Sequence, residues 1–184
     1  SHKSRSEDSA RLRIQIQSQL GQFHCRRSEF EKAKTYLYAA LNVAEKRLPR
    51  DDIDKALLLN NLGVFCKYSG RFAEGRKFHA RAMSLLRKQK EPDLHFEATL
   101  LHNMGGIERA AGRFKEAEGP ARASTALRRS LLGTENVTYA EDLSALASIL
   151  SELGKFREAE SSFKKALSIF KKTYGARHSE VALN

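Results

Sequence analysis

The chain has 184 residues, of which 41% are hydrophobic and 30% are charged, and its formal net charge at pH 7 is +11. This apolar content excludes an intrinsically disordered chain, and no apolar run reaches the ~20 residues that a membrane span needs. The two cysteines, Cys25 and Cys66, are too few for a disulfide framework and favour a reducing, cytoplasmic compartment.

A 42-residue internal repeat organises the sequence. Phenylalanine marks it at Phe30, Phe72, Phe114 and Phe156. Small residues recur after each phenylalanine, at Ala33, Gly75, Ala117 and Ala159, and before it, at Gly21, Gly63, Gly105 and Ala147. A period of this length is typical of solenoids. We predict a tail with the start of the first helix at 1–13, repeats at 14–55, 56–97, 98–139 and 140–181, and the start of a fifth at 182–184.

Each repeat is predicted to hold two helices separated by a short turn. The first helices are expected near residues 8–26, 51–68, 93–110 and 136–152, and the second helices within 27–50, 69–92, 111–135 and 153–177. In the second repeat, Gly70 should end the first helix because glycine readily adopts the left-handed conformation. Gly63 and Gly75 are predicted to face each other where the two helices approach. One hairpin cannot bury its apolar face alone, so the pattern predicts stacked hairpins and an all-α chain.

These columns resemble the tetratricopeptide repeat (TPR), and the 42-residue period resembles its kinesin light chain subclass. The resemblance rests on the string Leu59-Asn60-Asn61-Leu62-Gly63, on the Gly-x-Phe-x-Glu-Ala turn, and on the loops at 132–136 and 174–178. It covers about residues 12–184, although Gln17, Leu59, Leu101 and Leu143 occupy the family's tryptophan position. The resemblance implies an α-α superhelix, a TPR solenoid of four hairpins plus the start of a fifth, whose first helices line a concave groove.

The resemblance also implies that this groove binds a partner peptide or helix. The candidate residues are Arg26, Asn60, Asn61, Val64, Lys67, Tyr68, His102, Asn103, Gly106, Arg109, Glu141, Ser148 and Glu152. Asn61 and Asn103 lie one repeat apart, and similar asparagines in the family hold the ligand backbone, since an amide both donates and accepts hydrogen bonds. The alternative is that these two asparagines hold neighbouring first helices together.

Charge divides unevenly between the two kinds of helix. The first helices carry a slight acidic excess, whereas the second helices are strongly basic and end in Lys46-Arg47, Arg87-Lys88, Arg128-Arg129 and Lys171-Lys172. The helix dipole favours such pairs, and the alternative is a basic convex face that binds nucleic acid or another anionic surface. In the groove, Arg26, Lys67 and Arg109 favour a partner with an acidic segment, and Glu141 and Glu152 tolerate basic residues.

No motif predicts an enzyme, a cofactor or a metal site. The sequence lacks a glycine-rich phosphate loop, a His-Glu-x-x-His zinc pattern and a Gly-x-Ser-x-Gly elbow. His24 and Cys25 are adjacent, and adjacent helical side chains do not face each other, so they are not expected to form a catalytic pair. Asp51, Asp52 and Asp54 lack the glycine and glutamate of a calcium loop and are predicted to begin a helix. We therefore predict a non-enzymatic interaction module.

The C-terminal end carries a further alternative, a structural scaffold that assembles with itself. Residues 181–184 match the start of another repeat, so the sequence predicts a piece cut from a longer protein. Phe163, Leu167, Phe170 and Leu183 would then lack a following helix to cover them. Uncovered apolar surface of this kind favours self-association.

Overall fold

A computed structural model describes residues 2–175 of the chain, with side chains from residue 7 onward. Eight α-helices and no strand occur within this range. The helices are α1 (His2–Arg26), α2 (Phe30–Arg47), α3 (Ile53–Tyr68), α4 (Phe72–Arg87), α5 (Leu94–Ala110), α6 (Phe114–Leu132), α7 (Val137–Glu152) and α8 (Phe156–Tyr174). The predicted all-α architecture of four hairpins is thus confirmed over these residues, although α1 already begins at His2. The predicted start of a fifth repeat lies outside the described residues.

The chain forms two compact units, residues 1–93 (unit 1) and residues 94–184 (unit 2). In unit 1, α1 packs against α2 and α3 packs against α4, while α3 also contacts both helices of the first hairpin. In unit 2, α5 packs against α6 and α7 packs against α8, and α7 also contacts the preceding hairpin, chiefly through α6. Each unit is therefore a pair of stacked repeats, and each repeat buries its neighbour's apolar face.

The hairpin turns share one geometry, which explains the Gly-x-Phe motif. Gly70, Gly112 and Gly154 have φ angles of +74°, +71° and +73°. The next residue returns its N–H to the preceding helix in the bonds Arg71 to Cys66 (2.8 Å), Arg113 to Glu108 (2.9 Å) and Lys155 to Leu150 (2.9 Å). This pattern is the Schellman motif, in which glycine carries no Cβ penalty. The recurrent phenylalanine is then the first residue of each second helix.

The helices α3 and α7 begin at matching polar caps. The side chain of Asp52 accepts the N–H of Asp54 at 3.0 Å, and that of Asn136 accepts the N–H of Thr138 at 2.8 Å. A cap of this kind satisfies a backbone donor that the first turn of a helix leaves unpaired. The predicted acidic helix start at residues 51–54 is therefore confirmed.

The small residue of each first helix in the first three repeats lies closest to a position one turn beyond the small residue of the second helix. A methyl group at Gly63 would overlap the imidazole ring of His79, and one at Gly105 would lie 3.2 Å from the backbone nitrogen of Ala121. The predicted approach of the two small-residue columns is seen in the first and third repeats, where a methyl group at Gly21 would lie 3.4 Å from the carbonyl oxygen of Ala33 and one at Gly105 would lie 3.3 Å from that of Ala117. In the second repeat the atoms nearest to such a methyl group at Gly63 all belong to His79. Helical side chains lean toward the N-terminus of their helix, so the residue one turn beyond Gly75 covers the spot opposite Gly63.

His79 is an unusual residue at this contact. Its side chain is 1% exposed, and its ring nitrogens form no well-aligned hydrogen bond, although the backbone of Asn60 lies close enough to interact with the ring. The corresponding residues are Leu37 in α2 and Ala121 in α6, both apolar. Burial lowers the pKa of His79 to about 4, because the buried site disfavours the charged imidazolium.

Candidate functional site

An open groove of about 530 Å³ lies between the first helices α1 and α3 of unit 1. Its apolar lining comes from Ile14, Leu57 and Leu58, and Leu57 is 49% exposed. Polar lining comes from Arg11, Gln15, Ser18, Gln19, Gln22, Asp54, Asn60 and Asn61. A concave site that combines apolar surface with a few hydrogen-bonding groups is typical of ligand-binding sites.

An ion-pair cluster lies at one end of this groove. The Arg11 guanidinium is 2.6 Å from Oδ2 of Asp52 and also bonds Asp54. Burial opposes ionisation of Asp52, but the hydrogen bonds from Arg11 and from the Asp54 N–H outweigh it and hold the pKa of this carboxyl below its usual value. The charge of Arg11 is therefore neutralised inside the unit.

The structure places both predicted asparagines of α3 in the groove. Asn60 is buried, whereas Asn61 is half-buried and donates from Nδ2 to Oγ of Ser18 at 2.9 Å. This bond joins α3 to α1, so Asn61 has the inter-repeat role named above as the alternative. Its carbonyl oxygen keeps its capacity to accept a hydrogen bond from a ligand N–H.

The other candidates in unit 1 do not line this groove. Arg26 is the last residue of α1, and Val64, Lys67 and Tyr68 lie toward the end of α3. Nζ of Lys67 lies 4.5 Å from the ring centroid of Tyr68, in a cation–π contact. Because Tyr68 is exposed, this pair forms a surface of its own near the end of α3.

A buried carboxylate orients His102 in unit 2. Nδ1 of His102 lies 2.7 Å from Oδ1 of Asp142, and the hydroxyl of Ser124 donates to Oδ2 of Asp142 at 2.8 Å. Arg128 approaches the same oxygen at 3.8 Å and donates to Thr99 at 2.8 Å. The contact through Nδ1 leaves the other ring nitrogen of His102 to a ligand, since the ring is half-exposed.

Asp142 was not predicted from the sequence, although the sequence carries a signal for it. Its position in the repeat holds Ile16, Leu58 and Leu100 in the other copies. Both leucines are buried, and Asp142 is buried as well. A single carboxylate in an apolar column is the pattern that would have identified this site, because a buried charge needs partners.

The remaining candidates of unit 2 lie along α5 and α7. Gly106 follows His102 by four residues and Arg109 follows it by seven, which puts all three on one side of α5. Arg109 is exposed, whereas Asn103 and Gly106 are half-buried. On α7, Glu141 and Glu152 are exposed, and the Ser148 hydroxyl donates to the carbonyl of Ser144 at 3.1 Å.

Several basic side chains in the second helices or at their caps bind carboxylates of the neighbouring repeat in the same unit. The pairs are Arg81–Glu45, Lys88–Asp51 (2.8 Å), Arg122–Glu158 (2.5 Å), Lys155–Glu118 (2.6 Å) and Lys172–Glu135 (2.6 Å). Exposed pairs add little stability. These ion pairs do reduce the positive charge that the second helices offer to a polyanion.

The cysteines lie in surroundings that suppress their reactivity. Nδ1 of His24 is 2.6 Å from Oε2 of Glu29, so this nitrogen is not directed at Cys25. Burial raises the pKa of Cys25 and raises that of Cys66 to about 12, so little reactive thiolate forms at neutral pH. Among the described residues no acidic, histidine or cysteine cluster suits a metal ion, and no helix has the length and apolarity to cross a membrane.

Sequence comparison matches the tetratricopeptide repeat family over residues 13–54, 54–130 and 143–180. No curated protein has a significantly similar sequence. Among solved structures, the chain is similar to a Podosopora anserina protein described as a kinesin light chain with nearly identical TPR-like repeats. The TM-score is 0.79 at 16% identity, over 100% of this chain and 82% of that chain.

Two further structures show the same fold. BtubC (BKLC) from P. vanneervenii has a TM-score of 0.62 at 16% identity, over 100% of this chain and 63% of that chain. A signal transduction ATPase with a tetratricopeptide repeat sensor from Pyrococcus horikoshii has a TM-score of 0.72 at 18% identity, over 88% of this chain and 24% of that chain. The chain thus spans less than two thirds of either protein. At these identities the likeness concerns the fold alone.

Proposed function

Because the chain belongs to the tetratricopeptide repeat family, we propose that it is a non-enzymatic interaction module that binds a partner peptide or helix along its first helices. The groove between α1 and α3 is the observation that carries this proposal. Leu57 and Ile14 offer apolar surface to a bulky side chain of the partner. The surrounding amides, including Gln15 and Gln19, can bond the partner's backbone, since each amide both donates and accepts.

The charges of unit 1 set the chemistry of the partner within the same proposal. The charge of Arg11 is neutralised by two aspartates. Lys67 and Arg26 lie far from this cluster along the helices, at the C-terminal ends of α3 and α1. We therefore expect an apolar anchor followed by an acidic segment that approaches Lys67 and Arg26. Complementarity of this kind fixes the orientation and the association rate more than the affinity.

A cytoplasmic location belongs to this proposal. Cys25 and Cys66 are both free thiols, and Cys66 is buried. A reducing compartment keeps thiols of this kind unpaired. Nucleic-acid binding through the second helices has weaker support, because carboxylates of the neighbouring repeat neutralise part of their positive charge.

Substitutions in the groove and on the first helices should weaken peptide binding selectively. The probes are two short fluorescein-labelled peptides with one central leucine, flanked either by glutamates or by lysines. We expect the wild type to prefer the acidic peptide in fluorescence polarisation. Leu57→Ala and Gln19→Ala in the groove, and Lys67→Ala near the end of α3, should each cost about 1–2 kcal/mol of binding free energy, because a few central residues carry most of the affinity of an interface.

The matched control is the double variant Lys171→Gln, Lys172→Gln, which removes charge from a second helix and should leave peptide affinity unchanged. A labelled single-stranded RNA serves as the competing probe in the same assay. Peptide binding that survives the Leu57, Gln19 and Lys67 substitutions and is lost in the double lysine variant would contradict the proposal. RNA binding that falls steeply with salt would then favour the nucleic-acid alternative.

A further inference from the structure

One side of α1 carries an uncovered apolar stripe, consisting of Leu12, Ile16, Leu20 and Phe23. These residues follow one another by four, four and three positions, so they form one row along the helix. All four are exposed, and 47% of Phe23 is accessible. A row of large apolar side chains on an exposed helix face commonly marks an interaction surface.

The equivalent positions of the fourth repeat show how such a row packs when a neighbouring helix covers it. Leu20 and Phe23 correspond to Leu146 and Ile149 of α7, three repeats further along. Leu146 and Ile149 are buried against two alanines of α6, the second helix of the preceding repeat. Leu20 and Phe23 of the stripe therefore occupy positions by which a first helix packs on the repeat before it.

The complementary surface lies on α8 at the other end of the described chain. An open groove of about 470 Å³ has the apolar lining Phe156, Ala159, Phe163 and Leu167. One repeat earlier, the first three positions are Phe114, Ala117 and Ala121, the surface of α6 that receives α7. Phe156 is 67% exposed, whereas Phe114 is partly buried by that contact. The groove on α8 thus corresponds to the surface of α6 on which α7 packs.

We propose that the chain assembles head to tail, with the α1 stripe of one copy packed into the α8 groove of a second copy. The occupant is a second copy because the chain carries both halves of one contact, and α6 with α7 shows how the halves fit. The contact joins two different surfaces, so it is heterologous, and each added copy presents a new stripe and a new groove. The proposal is independent of the peptide groove, which lies between α1 and α3.

A matched change at one polar pair supports this fit. Between α6 and α7, Ser124 donates to Asp142 at 2.8 Å. The corresponding positions in the intermolecular contact are Ala166 on α8, which is already buried within its own hairpin, and the exposed Ile16 on α1. Both halves of the hydrogen-bonded pair are therefore replaced together by apolar residues. Because Ile16 replaces the aspartate, the contact buries no carboxylate at this point and avoids the desolvation penalty of an unpaired charge.

The charges on the two helices make the assembly sensitive to salt. Both α1 and α8 carry more basic than acidic residues. Their approach is therefore opposed by repulsion, which added salt screens. We expect association to strengthen with ionic strength, which is opposite to the behaviour of a contact between unlike charges.

Sedimentation velocity over a series of protein concentrations tests this proposal. The wild type should show a mass that rises with concentration. Phe23→Glu, on the stripe, and Phe156→Glu, in the groove, should each raise the apparent dissociation constant by about tenfold or more, because each loses a large buried apolar side chain. Ile16→Glu is a second stripe variant. The control is Leu94→Glu, which charges an equally exposed apolar residue of α5 outside the peptide groove and both contact surfaces, and should leave the association unchanged.

A mixture of the two variants distinguishes this geometry from a symmetric dimer. Phe23→Glu keeps an intact groove and Phe156→Glu keeps an intact stripe, so an equal mixture should form one-to-one dimers and nothing larger. The proposal is overturned if the wild type stays monomeric at every concentration and salt level. It is equally overturned if either variant associates like the wild type, or if the mixture remains monomeric.

Discussion

Acidification from pH 6.5 to about 4 should remove about 3 kcal/mol from the free energy of unfolding through His79 alone. The unfolded chain binds a proton at this imidazole with the ordinary pKa of 6.5, whereas burial lowers the pKa in the folded protein to about 4. Above pH 6.5 both states are neutral, and the site has no pH dependence. Between the two pKa values only the unfolded state is protonated, so stability falls with pH, and below about 4 the loss is complete.

Urea unfolding followed by circular dichroism at pH values across this window measures the effect. The matched control is His79→Leu, because Leu37 packs against Gly21 at the same position of the first repeat. This variant should lose the His79 contribution while keeping the titration of the carboxylates. It should also be more stable at pH 7 by about 1–3 kcal/mol, since two buried ring nitrogens without a well-aligned hydrogen bond are removed. Equal pH dependence in both proteins would contradict the assigned burial.

Gly63→Ala should lower the free energy of unfolding by about 2 kcal/mol. Alanine is ordinarily the better helix residue by up to about 1 kcal/mol, but here its methyl group would overlap the buried ring of His79. Because His79 is enclosed, the ring has little room to move aside. The same substitution at Gly105 should cost less, since the nearest atoms there lie at 3.2 Å or beyond.

A double-mutant cycle separates the steric effect from a general intolerance of the helix. In the background of His79→Ala, the substitution Gly63→Ala should become neutral or stabilising, because the overlapping ring is gone. Thermal and urea unfolding of the four proteins give the coupling energy directly. A cost that stays the same with and without the ring would show that the contact between α3 and α4 is assigned to the wrong residues.

The sequence alone was sufficient for the hairpins because their signals are local. A glycine in the left-handed conformation followed by phenylalanine defines each turn after the first, and the structure begins α4, α6 and α8 at Phe72, Phe114 and Phe156. The closest contact of Gly63, with the ring of His79, could not be predicted in this way. Which residue of α4 covers Gly63 depends on how side chains lean along the helix, and the columns of a repeat do not contain that information.

The groove was predictable only in part for a similar reason. Asn61 stands out because Asn103 repeats it, and the structure does place Asn61 in the groove. Leu57 was missed because its column changes character between copies, with Gln15, Thr99 and Glu141 as its counterparts. A residue that differs from the rest of its column can give one repeat a function that the others lack. Periodicity alone does not identify such a residue.

Asp52 stabilises both repeats of unit 1 at once. The same carboxylate caps α3 through the N–H of Asp54 and holds Arg11 of the preceding repeat. Detachment of α1 would therefore release the carboxylate from its cation at the start of α3, and fraying of α3 would remove the anchor of α1. The two repeats are in this way coupled into one foldon, whose members open together although their backbones are held by separate ladders of hydrogen bonds.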